Sequence, residues 1–259
     1  MSNPTTFSRV NVLGVGISAI NLELALGAIE QALVEKRKGY ICVTGVHGVM
    51  EAQKDEELRR IFNRSFLTTP DGMPMVWAGR LAGLPQISRV YGPDLMLLVC
   101  EHSREKGHSH FLLGGKAGVA PELKQRLEGR FPGLKIVGTY TPPFRPLTPA
   151  EEEDLIRRIG EVKPDIIWVG ISTPKQERFM AKYGERLDAT LLVGVGAAFD
   201  FHTGRLRQAP PWIQHSGFEW LFRLGCEPRR LWRRYLLNNP LFLLNSLFQI
   251  TGFKKYNLE

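Results

Sequence analysis

Over its first two hundred positions the chain alternates between two rhythms of apolar residues. Short continuous apolar runs rich in β-branched residues occur at 10–16 (VNVLGVG), 40–45 (YICVTG), 110–115 (HFLLGG), 134–140 (LKIVGTY), 165–170 (DIIWVG) and 189–196 (ATLLVGVG). Runs of this length and composition predict buried strands. Between them, NLELALGAIEQALVEK and AGVAPELKQRLEGRF space their apolar residues as a helix face requires. Thr148-Pro149-Ala150-Glu151 combines a capping threonine, a proline at the first helical position and a capping-box glutamate, which predicts a helix start. Regular strand–helix alternation predicts an α/β fold, a mostly parallel sheet with helices on both faces, whose ligands sit at the carboxyl ends of the strands.

Beyond residue 204 the rhythm changes. The segment APPWIQHSGFEWLFRLGCEPRRLWRRYLLNNPLFLLNSLFQITGFKKY is helical, aromatic and basic, with no further strand. The expected organisation is therefore a catalytic domain over 1–203 and a basic helical appendage over 204–259.

Composition narrows the function classes. The chain has 259 residues, 43% hydrophobic and 23% charged, which suits a soluble globular protein. No secretory leader is visible at the start, and no stretch reaches the roughly 18 uninterrupted apolar residues of a membrane span. Cys42, Cys100 and Cys226 are odd in number and far apart, so a reducing compartment, the cytoplasm, is expected. Residues 203–259 hold nine Lys/Arg against three Glu and so carry most of the net charge of +8. That asymmetry points to an anionic partner: phosphate, anionic lipid or nucleic acid.

The candidate chemistry lies in the loops. Gly14-Val15-Gly16-Ile17-Ser18-Ala19 fits GxGxxA, but the next strand ends in VTG without the ribose-binding acid, so turn glycines are the better reading and an NAD-type oxidoreductase is disfavoured. The six histidines form neither HExxH nor a Cys/His cluster, and there is no DxD; a bound diphosphate would have to be held by backbone N–H groups, helix N-termini and arginines. Gly114-Gly115-Lys116 ends a strand and opens a helix without the GK[ST] of a P-loop, so it reads either as a plain turn or as a seat for one phosphate. In GISTPKQERFM, Gln176 offers a neutral amide to a sugar hydroxyl or phosphate. Asp200 sits between Phe199 and Phe201, where it could accept from a base or a ribose while a ring stacks beside it. Asp71, in RSFLTTPDG, is open to two readings: a turn or helix-cap residue between Pro70 and Gly72, or a base whose proton affinity is raised in a dry cleft.

Six pieces taken together, LTTPDGMPMVWAGR, SRVYGPDL, FLLGGKAGVA, GISTPKQERFM, GVGAAFDFHTGRLRQAP and GFEWLFRLGCEPRRLWRRY, resemble the bacterial WecG/TagA/CpsF glycosyltransferases in order and from about residue 10 to 240. The resemblance implies a Rossmann-like fold and an inverting, metal-independent transfer with no cofactor. An N-acetylhexosamine-type sugar would pass from a UDP donor to a polyprenyl-diphosphate-linked sugar, during exopolysaccharide or cell-surface polymer assembly. It implies Asp71 as general base, with Thr44, Arg89 and Gln176 at active-site positions and Asp200 against the uracil. The turn Gly114-Gly115-Lys116 is assigned to the donor as well, and Arg223, Arg230 and Arg233 close over its diphosphate. The implied location is peripheral, on the inner face of the plasma membrane against anionic lipid, with no nucleic acid as partner and with self-association known among members. The competing class is a nucleic-acid-binding protein using the basic aromatic tail, which would leave the six loop motifs without a role. One departure stands out: where the family often has Thr-x-Asn after the second strand, this chain has Thr44-Gly45-Val46 followed by His47. That puts the identity of the sugar in doubt but not the reaction type.

Overall fold

A computed structural model describes residues 7–258. Six strands form one sheet in the order β4-β3-β8-β7-β5-β6: β3 (Gly39–Thr44), β4 (Leu67–Pro70), β5 (Ser109–Gly114), β6 (Lys135–Tyr140), β7 (Ile166–Gly170) and β8 (Leu191–Gly194). The pairs β3–β8, β8–β7, β7–β5 and β5–β6 are parallel, as strand–helix alternation requires. The α/β architecture is thus as the apolar pattern indicates, and five of the six runs that read as strands lie in this sheet.

The sixth run does not. VNVLGVG is split between β1 (Arg9–Val12) and β2 (Val15–Ser18), an antiparallel hairpin separate from the main sheet. Leu13 and Gly14 both take positive φ, 51° and 84°, the backbone of a two-residue hairpin turn whose twist matches the strands. The Asn11 side chain accepts from the Gly14 N–H and fixes that turn. The glycines of the apparent dinucleotide fingerprint are therefore hairpin residues, and their turn leads into strand β2 and not into a helix N-terminus that could receive a phosphate. Conversely, LTTP forms a fully buried strand, β4, that apolarity alone does not announce. It tolerates Thr68 because the hydroxyl donates to the Phe62 carbonyl and pairs with Ser65.

The chain divides into two compact units. One takes in residues up to Leu24, Val43–Tyr91 and Arg207 onward; the other takes in Ala25–Cys42 and Gly92–Leu206. The division differs from a simple cut at 203/204, because the C-terminal helices belong with the hairpin and β4. These are α10 (Pro211–Ser216), α11 (Glu219–Cys226) and α12 (Pro228–Ile250). In the first unit α12 packs on α2 (Val46–Ala52), and α10 packs on α4 (Met73–Leu81). Leu231, Tyr235, Asn238 and Phe242 form the buried stripe of α12, at the spacing of one helix face. Two amides that interrupt its apolar character turn inward too. Gln249 accepts from the Leu13 N–H and donates to the Asn11 carbonyl, while Asn238 lies beside His47.

In the second unit β5, β7 and β8 are buried along nearly their whole length, with Trp168 and His110 both fully enclosed. The Trp168 indole donates to His110 Nδ1 at 3.0 Å, and burial pushes the His110 pKa down to about 4, so the ring is neutral. Helix α7 (Pro149–Val162) opens with the complete capping box expected at Thr148 and Glu151. At the carboxyl ends of β5 and β7, a Cβ on Gly114 would stand 2.4 Å from the Gly170 carbonyl oxygen, so only glycine fits.

Candidate active site

Asp71 is placed by its backbone. Strand β4 ends at Pro70, and the Asp71 N–H donates to the Thr44 carbonyl at the end of β3, at 2.9 Å. Gly72, at φ 95°, then turns the chain into α4. Gly72 itself occupies the N-cap position and no side chain caps the helix, so Asp71 is a turn residue whose carboxylate is not spent on capping. Thr44 is buried, and its hydroxyl has no hydrogen-bond partner among the described residues.

Arg89 is the hub of the site. The Ser88 N–H bonds to the Ile20 carbonyl and the Val90 N–H to the Pro70 carbonyl, which pins the segment carrying Arg89 beside β4. Its side chain is only 6% exposed and its guanidinium stacks over the Tyr91 ring, 4.0 Å from the centroid. One arm, Nη1, donates to Gln214 Oε1 on α10; the other, Nη2, donates to the Glu219 carboxylate on α11. The same Nη2 stands 4.0 Å from Asp71 Oδ1. That is close enough to attract and too far for a direct hydrogen bond, which leaves the Asp71 lone pairs available.

Five charged groups thus share one electrostatic neighbourhood: Asp71, Glu219, Arg89, Arg223 and Arg234. Burial raises the proton affinity of Asp71 above the ordinary carboxylate value of 3.8, and the opposing pull of Arg89, Arg223 and Arg234 does not cancel it. A third of the Asp71 side chain remains exposed, yet the carboxylate lies among protein atoms that replace most of its hydration. Glu219 is raised by burial too, with the Asp71 charge adding to the effect. Burial and the two carboxylates push the Tyr91 phenol up, so it stays a neutral donor. The guanidiniums outnumber the carboxylates, and the buried Nε atoms of Arg89 and Arg234 have no hydrogen-bond partner among the described residues. Such a cluster is suited to attract an anion.

The C-terminal arginines separate by helical phase. Arg223 and Arg234 act on Asp71. Arg230, one turn before Arg234, pairs with Glu227. Arg233 points away, exposed, its guanidinium 5.2 Å from the ring centroid of neighbouring Trp232. A model of the glycosyl transferase WecG/TagA/CpsF family matches residues 10–256, nearly the entire chain.

The chain belongs to that family.

It is a glycosyltransferase. Among its relatives is the N-acetylglucosaminyldiphosphoundecaprenol N-acetyl-beta-D-mannosaminyltransferase of Bacillus spizizenii, 28% identical over 209 residues that cover 80% of this chain and 79% of the relative. The protein of the same name from Bacillus subtilis strain 168 is 26% identical over 229 residues, covering 88% and 86%.

The remaining family positions fall in the second unit, each after the carboxyl end of a strand. Gln176, in the first turn of α8 (Lys175–Tyr183), is 2% exposed. Its carbonyl accepts from the Gly196 N–H at 3.1 Å and its amide donates to Glu177 Oε1 at 3.0 Å, so internal bonds fix its orientation. The buried Glu177 carboxylate also accepts from the Thr173 hydroxyl. Gly114 and Gly115 both take positive φ in the turn after β5, and the Gly115 N–H donates to the Gly170 carbonyl. Lys116 beside them is exposed, and α6 (Val119–Arg130) starts just beyond. Asp200 lies in α9 (Ala198–His202), half-buried beside the buried Phe199. Among the described residues, no group of three or more His, Cys, Asp or Glu side chains is placed to hold a metal ion.

Reading the sequence alone missed Tyr91, Gln214, Glu219 and Arg234. The one available signal was spacing: Glu219 precedes Arg223, and Arg230 precedes Arg234, by four residues, one helical turn.

Proposed function

We propose that the protein moves an N-acetylhexosamine-type sugar, with inversion, from a UDP donor to the sugar of a polyprenyl-diphosphate lipid. Both Bacillus relatives are named for a transfer onto N-acetylglucosaminyldiphosphoundecaprenol, which supports a lipid-linked acceptor here. The observation that carries the reading is Asp71: a carboxylate with raised proton affinity, free of capping duty and faced by three arginines.

In such a transfer the acceptor hydroxyl attacks C1 of the donor sugar. The new O–C1 bond forms as the bond from C1 to the diphosphate oxygen breaks, and UDP leaves with that electron pair. Asp71 accepts the hydroxyl proton, and raised proton affinity suits that task. Arg223 and Arg234 stabilise the charge that grows on the diphosphate, a contribution of several kcal/mol in a site poor in water. With guanidiniums in that role, the chemistry needs no metal. Gln176 and the turn Gly114-Gly115-Lys116 serve the donor, and Asp200 accepts from the uracil N–H.

The acceptor's lipid calls for a membrane surface. No helix among the described residues is long and apolar enough to cross a membrane. On α12, Leu236, Leu243, Leu247 and Ile250 are all largely exposed, as are Phe253 beyond it and Trp212 on α10, and Lys254 and Lys255 follow directly. Apolar residues flanked by lysines make a surface suited to anionic headgroups. We infer peripheral attachment to the inner face of the plasma membrane through this surface.

The test is UDP release from a panel of UDP-sugars presented with GlcNAc-diphosphoprenol, with and without EDTA. One N-acetylhexosamine donor should give acceptor-dependent release that the chelator leaves unchanged. The absence of acceptor-dependent release from every donor would overturn the reading, and release abolished by EDTA and restored by a divalent ion would overturn its metal-independent form.

A further inference from the structure

Helix α11 carries no buried residue of its own, yet it presents both Glu219 and Arg223 toward Asp71. Its apolar packing is partial, with the Trp220 ring 6.0 Å from the Tyr235 ring of α12, and does not by itself set where Glu219 and Arg223 point. The polar contacts that do are concentrated on Arg89: Nη2 donates to Glu219 on α11, and Nη1 donates to Gln214 on α10, 2.5 Å away. Gln214 is buried, and its amide is oriented by donating to the Ala209 carbonyl at 2.7 Å. Arg89 is in turn held from below by the Tyr91 ring and from both sides by the Ser88 and Val90 backbone bonds. A planar guanidinium with both arms occupied cannot rotate without losing both partners.

We propose that Glu219 and Gln214 are positioning residues that clamp the two arms of Arg89 and thereby hold α10–α11, with Arg223, at Asp71. The clamp deepens the transferase reading by giving its general base a built-in partner acid, Glu219. The groups facing Asp71 are Arg89 from the segment after α4, Glu219 and Arg223 from α11, Arg234 from α12, and Tyr91. Two carboxylates that share these guanidiniums repel one another and titrate as a pair, in an upper and a lower step. Removing the charge of Glu219 removes that repulsion and lowers the proton affinity of Asp71.

Two substitutions separate the clamp from mere packing. Glu219→Gln keeps an oxygen to accept from Arg89 and removes the charge. Glu219→Ala removes both. In Glu219→Gln, amide exchange across 211–226 should stay near that of the unsubstituted protein, while the acid limb of kcat/KM moves down by at least about half a pH unit. In Glu219→Ala the same amides should exchange at least about tenfold faster, and kcat should fall with them.

Exchange unchanged in Glu219→Ala would overturn the clamp. An acid limb that stays in place in Glu219→Gln would overturn the coupling of Glu219 to Asp71. Hydrogen exchange needs no substrate, so a protein that shows the exchange pattern but transfers no sugar contradicts the proposed function and leaves the clamp standing.

Discussion

The backbone carbonyl oxygen of Asp71 lies 2.5 Å from the point a Cβ on Gly45 would occupy. The contact joins the ends of β3 and β4, where the Asp71 N–H also bonds to Thr44. Gly45 has extended backbone, φ −119° and ψ −166°, so its need is for space and not for a special φ. Gly45→Ala is expected to push the Asp71 turn outward, costing about 1–3 kcal/mol of stability and at least about tenfold in turnover. Thermal melting and initial rates check both. Just beyond Gly45, where the chain departs from the family's Thr-x-Asn pattern, His47 of α2 sits 3.4 Å from Asn238 of α12, part of the contact that seats the C-terminal helix.

Arg233 and Arg234 are neighbours with different expected effects. Arg234→Ala removes a cation that acts on Asp71 and should lower kcat/KM by roughly 100-fold. Arg233→Ala removes an exposed guanidinium resting on Trp232 and should change kcat/KM by less than about threefold. Assigning the role to Arg233, as the family motif does, gives the reverse ranking, so steady-state kinetics on the two variants decide between them.

Asp71 should cost the protein stability. Its folded-state pKa is raised above the ordinary 3.8, so the folded protein binds its proton more tightly than the unfolded chain does. The favourable contribution is present below about 3.8 and is lost as pH rises through the folded value. At neutral pH the buried charge is a net burden, and Asp71→Asn should melt at a higher temperature than the unsubstituted protein. The difference should shrink as pH falls toward 4. Melting curves from pH 4 to pH 8 measure it.

The exposed face of α12 yields a prediction about lipid. Leu243 and Leu247 are largely exposed, and burying each in a headgroup layer is worth about 1.5–3 kcal/mol. Glu at both positions should reduce binding to phosphatidylglycerol vesicles at least about tenfold with little change in thermal midpoint. Vesicle flotation alongside melting checks this pair of outcomes. Truncation near residue 200 is a poorer test, because it removes Gln249 from Leu13 and Tyr256 from Asn11 and so strips the β1–β2 hairpin of its support.

What could be read from the sequence follows from how local each signal is. Strands β3 and β5–β8 are continuous apolar runs, and the α7 cap lies within four residues, so both are visible without a fold. The hairpin is not, because its turn depends on a left-handed Leu13 hidden in a run as apolar as any strand. Strand β4 escapes notice because its buried Thr68 hydroxyl is satisfied by partners that only folding supplies. The Arg89 clamp is beyond sequence reading altogether: its partners lie 125 and 130 residues away. The choice between Arg233 and Arg234 needs the phase of α12, set by which face buries Leu231, Tyr235, Asn238 and Phe242. Asp71 shows the same limit, since its neighbours Pro70 and Gly72 support a turn equally well whether or not the carboxylate does chemistry.

The most direct measurement of the central claim is sugar transfer from a UDP-N-acetylhexosamine to GlcNAc-diphosphoprenol by the unsubstituted protein and by Asp71→Asn, with UDP affinity measured on both. The expected result is a fall in kcat of about 10²–10⁴-fold with UDP affinity within a few-fold. Turnover by Asp71→Asn equal to that of the unsubstituted protein would contradict the assignment of Asp71 as the base.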